Sequence, residues 1–223
     1  MRTNTGTDMS PTTTTDPLLT LHQLFSPSFP VGAFAYSHGL ETAVQDRTVA
    51  SAADLMTWLS GVLEFGAGWT DAIFLAQAAN GGDADGLAEL ALALCPTSER
   101  RLETEKQGAA FAHAANALFD VNCPVAPYPV AVGVTARALS LPVHDTVRLY
   151  LFSIVSNLAA AGMRLVPLGQ TEGQGVIADL TPLCGEIAAK AIAANLDDLG
   201  SFAPNLDVGS MRHETLYSRN FRS

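Results

Sequence analysis

The chain is predicted to be all-α, a single multi-helix domain of about nine or ten helices. Three observations point there. Thirty-five of its 223 residues are alanine, the strongest helix former. Apolar residues recur at helical spacing in segment after segment. Capping residues stand directly ahead of several of these stripes. With 48% hydrophobic and 15% charged residues, a chain of this length can bury its own core without disulfides or a metal.

Residues 1–16 hold seven threonines and read as a disordered tail. Leu18 to Phe25 is a short helix, ended by Ser26-Pro27 because proline restricts the residue before it. Ser28 to Tyr36 is apolar but carries Pro30 and Gly32, and reads as an irregular buried loop in which Gly32 takes a backbone shape closed to other residues. A helix is expected from Ser37, as N-cap, to about Asp46. Ser51 caps the next, with Asp54 three residues on. Its stripe of Leu55, Leu59, Val62, Gly66, Trp69 and Ile73 predicts two helices in near continuity, broken around Gly66 to Gly68.

Asp85 to Leu94 is a helix stopped by Pro96. Thr97 caps a long one to about Phe119, whose charged run from Glu99 to Lys106 reads as a solvated face with i,i+4 pairs. Prolines 124, 127 and 129 mark a loop before a helix at about Val130 to Leu139. Pro142 is placed at N1 of the next, which closes at Gly162 and Pro167. Thr171 to Gln174 reads as a capping box opening a helix to about Leu180. Pro182 starts the last clear helix, and the chain beyond Asn195 reads as loop and tail. The expected organisation is a tail at 1–16, a helical domain at 17–205 and a C-terminal tail at 206–223.

Twenty-two acids against twelve bases give a net charge of −10, which argues against nucleic acid or an anionic membrane as partner. Cys95, Cys123 and Cys184 are widely spaced and lack a CxxC pattern, so a soluble protein of a reducing compartment is expected. No signal-peptide pattern opens the chain. The most apolar stretch, Leu149 to Met163, is shorter than the roughly 20 residues of a spanning helix.

Ser37, His38 and Glu41 are the one cluster with catalytic residue types, but neighbours on a helix point apart. His38 and Glu41 could face one ion, yet a second such pair is absent. No Walker A or G-x-S-x-G pattern occurs. Gly169 to Gly173 could cradle an anion at a helix start, but Glu172 would repel it. Charge is uneven: no base lies between Arg47 and Arg100, while the last twelve residues carry three arginines against one glutamate. That tail holds Leu216, Tyr217 and Phe221, residues suited to an interface. It reads either as a segment that orders on a partner or as one packed on its own domain.

The run Ser28, Pro30, Gly32, Phe34, Tyr36, Ser37, His38, Gly39, Leu40 and Glu41 resembles the signature of the UreF family of urease accessory proteins. Leu168 to Thr171, with Gln174, resembles a second family segment, and Arg212 to Ser223 resembles the family's C-terminal tail. The chain departs at Pro27, where some members carry Asp, and at Asn220, where a hydrophobic residue is common and a tail contact is expected to weaken. The resemblance implies a cytoplasmic, dimeric, all-helical protein without a cofactor. It implies a complex with UreD (also called UreH) and the GTPase UreG that helps deliver nickel to apo-urease. The partner-binding residues it suggests are Phe34, Tyr36, His38, Glu41, Gln170, Arg212, His213, Glu214, Tyr217, Arg219, Phe221 and Arg222. His38 and Glu41 are expected to be exposed or half-exposed for the GTPase, and the tail to order on UreD. Ser28, Pro30, Gly32, Ser37, Gly39 and Leu40 are expected to shape the signature loop. The competing reading is a helical hydrolase or metalloenzyme using Ser37, His38 and Glu41.

Overall fold

The computed structural model describes residues 16–223. Residues 1–15 of the expected tail lie outside the described residues. Asp16 does not belong to a tail: its carboxylate accepts from the backbone of Leu18 and Leu19 and caps the first helix. Ten α-helices follow in order among the described residues, and no strand. They are α1 (Pro17–Leu24), α2 (Leu40–Gln45), α3 (Ala52–Glu64), α4 (Ala67–Ala79), α5 (Ala84–Ala93), α6 (Ser98–Phe119), α7 (Tyr128–Ala138), α8 (Val143–Leu165), α9 (Gln170–Ala193) and α10 (Pro204–His213).

Helix α4 is the axle. It packs against α3, α7, α8 and α9. It is buried over most of its surface, through Ala72, Ile73, Phe74, Leu75, Ala76, Ala78 and Ala79. A helix apolar on nearly all sides belongs inside, and four of these seven residues are alanines, which let neighbouring helices approach closely. Helix α8 runs along α9. Its 23 residues are long and apolar enough to cross a membrane, so the length argument made from Leu149 to Met163 does not hold. Packing identifies it instead as a core helix, with Val147, Tyr150, Leu151, Val155 and Leu158 buried.

Two caps stand where the sequence places them. Ser51 Oγ accepts from Asp54 N and starts α3; Thr97 Oγ1 accepts from Arg100 N and starts α6. Four boundaries differ. Ser37 is not the N-cap, which is Gly39, although its Oγ accepts from Glu41 N in the first turn of α2 at 3.4 Å. Pro142 is the N-cap of α8 rather than its first residue. The two helices expected on either side of Pro182 are one, α9, capped by Glu172 through the amide of Gly169. Pro182 lies on the exposed face, where the carbonyl it leaves free reaches water. Residues 204–213, expected as loop and tail, form α10, which packs on α2 and α3.

Candidate functional site

The signature segment is a sequence of turns that ends in a buried carboxylate. Phe29 goes inward, its ring 5.4 Å from that of Phe111. Gly32 has φ +72° and opens a single 3₁₀ turn, Ala33–Ala35, as its expected special backbone shape requires. His38 and Gly39 then both adopt left-handed backbone, φ +53° and +75°. A side chain at Gly39 would meet Ser210 N at 2.7 Å, so only glycine lets α10 come this close. The double turn delivers Leu40 and Glu41 into the interior, 0% and 1% exposed.

The C-terminal tail lies over this turn. Arg222 N donates to the carbonyl of Ala35 and Ser37 N to the main-chain oxygen of Ser223, which the Ser37 hydroxyl also meets. Glu41 accepts from Asn220 N at 2.9 Å, Asn220 Nδ2 at 2.9 Å and Phe221 N at 3.0 Å. His213, on α10, sits between two carboxylates, Glu41 at 3.3 Å and Glu99 at 2.7 Å. Glu99 also holds Arg219 at 2.6 Å. The Phe221 ring is buried beneath the Arg164 guanidinium, 4.6 Å away, a cation–π contact. Burial alone would raise the Glu41 carboxyl, but the hydrogen bonds from Asn220, Phe221 and His213 outweigh it and hold it below the ordinary value.

A second polar cluster lies directly beneath. Glu103 accepts from Gln107 at 2.9 Å and Ser223 Oγ at 3.0 Å, and meets His38 Nε2 at 2.9 Å. Arg100 pairs with Glu103 and reaches Asp71, which takes a 2.8 Å hydrogen bond from the Tyr150 hydroxyl. Burial pushes Glu103 upward, yet Arg100 and His38 overcome it and lower it to about 2. At Asp71 burial wins over Arg100 and Tyr150, and the carboxyl is raised. A cavity of about 30 Å³ lies against His38, Asp71, Arg100, Glu103 and Tyr150, room for a single water.

These positions correct several expectations. Glu41 is buried and His38 largely so, its side chain 12% exposed, because both satisfy groups of their own chain. Tyr36 is buried as well. The tail packs on its own domain, the second of its two readings, with Phe221 and His213 inside and Arg219 paired to Glu99. Phe34 and Tyr217 are 70% and 106% exposed, and Gln170, Arg212, Glu214 and Arg222 are exposed too. Of these, Arg212 holds Asp46 at 3.1 Å and Glu214 accepts from Ser98 N and Oγ at the start of α6. Gln170 stands apart from the cluster at the first residue of α9.

Asn220, expected to weaken a tail contact, makes one instead. The run from Glu99 to Lys106 is not simply a solvated face: Arg101–Glu105 is an exposed i,i+4 pair, whereas Arg100 and Glu103 are buried. Residues 100, 103, 104, 107, 108 and 111 form one stripe that runs back from Phe111. That spacing was the available signal for the second cluster.

Ser37, His38 and Glu41 each spend their polar atoms on different groups of the chain, Ser223, Glu103 with Arg100, and the tail with His213. A family model, UreF, matches residues 49–181. A urease accessory protein UreF of Cereibacter sphaeroides is 52% identical over 206 residues, covering 92% of this chain and 98% of its own. One of Ruegeria pomeroyi is 46% identical over 215 residues, covering 95% and 99%; one of Rhodopseudomonas palustris is 47% identical over 213, covering 89% and 90%. The chain belongs to the UreF family.

Proposed function

We propose that this protein is a urease accessory protein that acts in urease maturation as a non-catalytic scaffold. In this reading it joins UreD/UreH and the GTPase UreG in a complex that helps load nickel, the cargo, into apo-urease. It modulates GTP hydrolysis by a partner, since its own sequence has no phosphate-binding loop, and it works in the cytoplasm as a homodimer. The family and the relatives' names support the accessory role. The single observation that carries the scaffold reading is the latch at Glu41. It fixes the signature turn and the tail as one continuous surface, with Phe34 and Tyr217 held out from it as exposed aromatic anchors.

The test is co-purification of the full chain with UreD and UreG from the same source. Tyr217→Ala combined with Arg219→Ala should abolish recovery of UreD while the helical circular dichroism stays intact. Unchanged recovery would sink the tail's role. Equilibrium dialysis against nickel and a hydrolase screen of the isolated chain address the rival enzyme reading. Stoichiometric nickel binding or turnover abolished by Ser37→Ala would favour it.

A further inference from the structure

The carboxylate that carries the tail faces a fully buried histidine. His213 Nδ1 lies 2.7 Å from Glu99 Oε2, and its Nε2 lies 3.3 Å from Glu41 Oε2. A neutral imidazole has one N–H and one lone pair; only the imidazolium donates from both nitrogens. With a single proton on the ring, one of the two contacts sets a lone pair against a carboxylate oxygen. Glu41 is not free to supply the missing proton. Both its oxygens already accept from tail N–H groups, Asn220 N and Nδ2 at Oε1 and Phe221 N at Oε2, and it is the charged form that suits such donors.

The charges around the ring lead to the same form. Among the described residues, Glu41 of α2 and Glu99 of α6 are the charged groups at ion-pairing distance from it. Glu99 is shared with Arg219 of the tail, and Glu103, one turn further along α6, is matched by Arg100. On the α3 side, α10 turns Gly209 to the uncharged Trp58 ring. On α10 and just after it, Arg212 is paired with Asp46 and Glu214 accepts from Ser98, so neither meets the ring. Two carboxylates against Arg219 alone leave one negative charge over. Buried charges are paired, and the imidazolium completes the count.

We propose that His213 is a pH-sensitive catch on the tail: as imidazolium it ties Glu41 to Glu99 and keeps Asn220 to Ser223 closed on the signature turn, and loss of its proton as pH rises frees them. Without that proton the Nε2 lone pair stands opposite Glu41 Oε2, and the carboxylate that holds the tail is repelled. The closed form binds a proton that the opened form need not keep, so closure weakens as pH rises. The catch rests on the geometry of the latch and not on the urease reading, and either can fail without the other.

The experiment follows the ring nitrogens of His213 in the full chain by NMR across a pH series. Hydrogen exchange on the same samples gives protection factors for the Asn220 and Phe221 amides, which remove the intrinsic acceleration by base. At neutral pH both ring nitrogens are expected to carry protons. As the proton leaves, the two amides should lose protection by about tenfold or more, the worth of a hydrogen bond to a charged group, while the amides of α4 keep theirs. His213→Gln should give low protection at these amides throughout, with no step. Glu99→Gln removes one of the two carboxylates, so the proton should leave about one pH unit lower or more, and the amide step should move with it. A purely structural role for His213 would leave that step where it was. A ring already neutral at neutral pH, protection unchanged while the ring loses its proton, or a step that persists in His213→Gln would each overturn the proposal; the last would pass the switch to another group, such as His38. If either variant fails to fold, the ring and the amides of the unsubstituted chain decide alone.

Discussion

Glu41 and Asn220 are 179 positions apart and joined twice: the backbone amide and the side-chain amide of Asn220 both donate to Glu41 Oε1 at 2.9 Å. One carboxylate thereby holds the start of the domain to its end. An ionised acceptor makes the stronger kind of hydrogen bond, and this one serves three donors of the tail as well as facing His213.

Glu41→Gln keeps the shape and removes the charge. It should cost about 1.5–3 kcal/mol, the range for a hydrogen bond to a charged group. Denaturant unfolding would measure it. Hydrogen exchange should show the amides of Asn220 and Phe221 exchanging much faster while those of α4 stay protected.

Asn220→Leu tests the same joint from the other side. It removes the side-chain donor but keeps the main-chain one, so it should cost only about 1 kcal/mol. A gain in stability would mean that a hydrophobic side chain there packs better than the amide bonds.

Arg100→Met should be severe, about 3–5 kcal/mol, because it strands Glu103 without its buried partner. Adding Glu103→Met should recover part of the loss, as replacing a whole buried pair by apolar groups often does. A double-mutant cycle in urea reads the coupling directly. Additive losses would show that the two residues do not act as a pair.

Acid should weaken the protein through Glu103. Its folded value, about 2, lies below its unfolded value near 4.5. Its contribution is therefore complete above about pH 4.5 and is lost as pH falls towards 2. Asp71 is raised and works in the opposite sense, its native form gaining protons first as pH falls. Glu103→Gln should flatten the acid limb of a stability-versus-pH curve, and an unchanged limb would remove Glu103 from the account.

Most of the architecture is legible in the chain because it rests on local signals. Ser51 and Thr97 announce α3 and α6 through caps that depend on three or four neighbouring residues. What escapes depends on distant ones. Ser37 looks like the N-cap, and its oxygen does accept from Glu41 N, but its hydroxyl donates to Ser223, 186 positions away, and Gly39 takes the cap position. Pro182 looks like a start, but α9 continues through it because its other side is packed along α8. Arg100 and Glu103 look solvated because charge suggests water; only their alignment with Phe111 says otherwise. The signature residues do come together with the tail, though as a self-satisfied latch, and the aromatic anchors that stay outside, Phe34 and Tyr217, are set apart by burial alone.

Ser223 has no exposed surface, since its main-chain oxygen lies at Ser37 and its hydroxyl at Glu103. A purification tag fused after it has to leave through this closed packing, and strains those two contacts first. Pull-downs made with such a fusion would then report on a strained tail. A tag placed ahead of Asp16 leaves those contacts untouched, and comparing the two fusions would show whether partners prefer the tail closed or released.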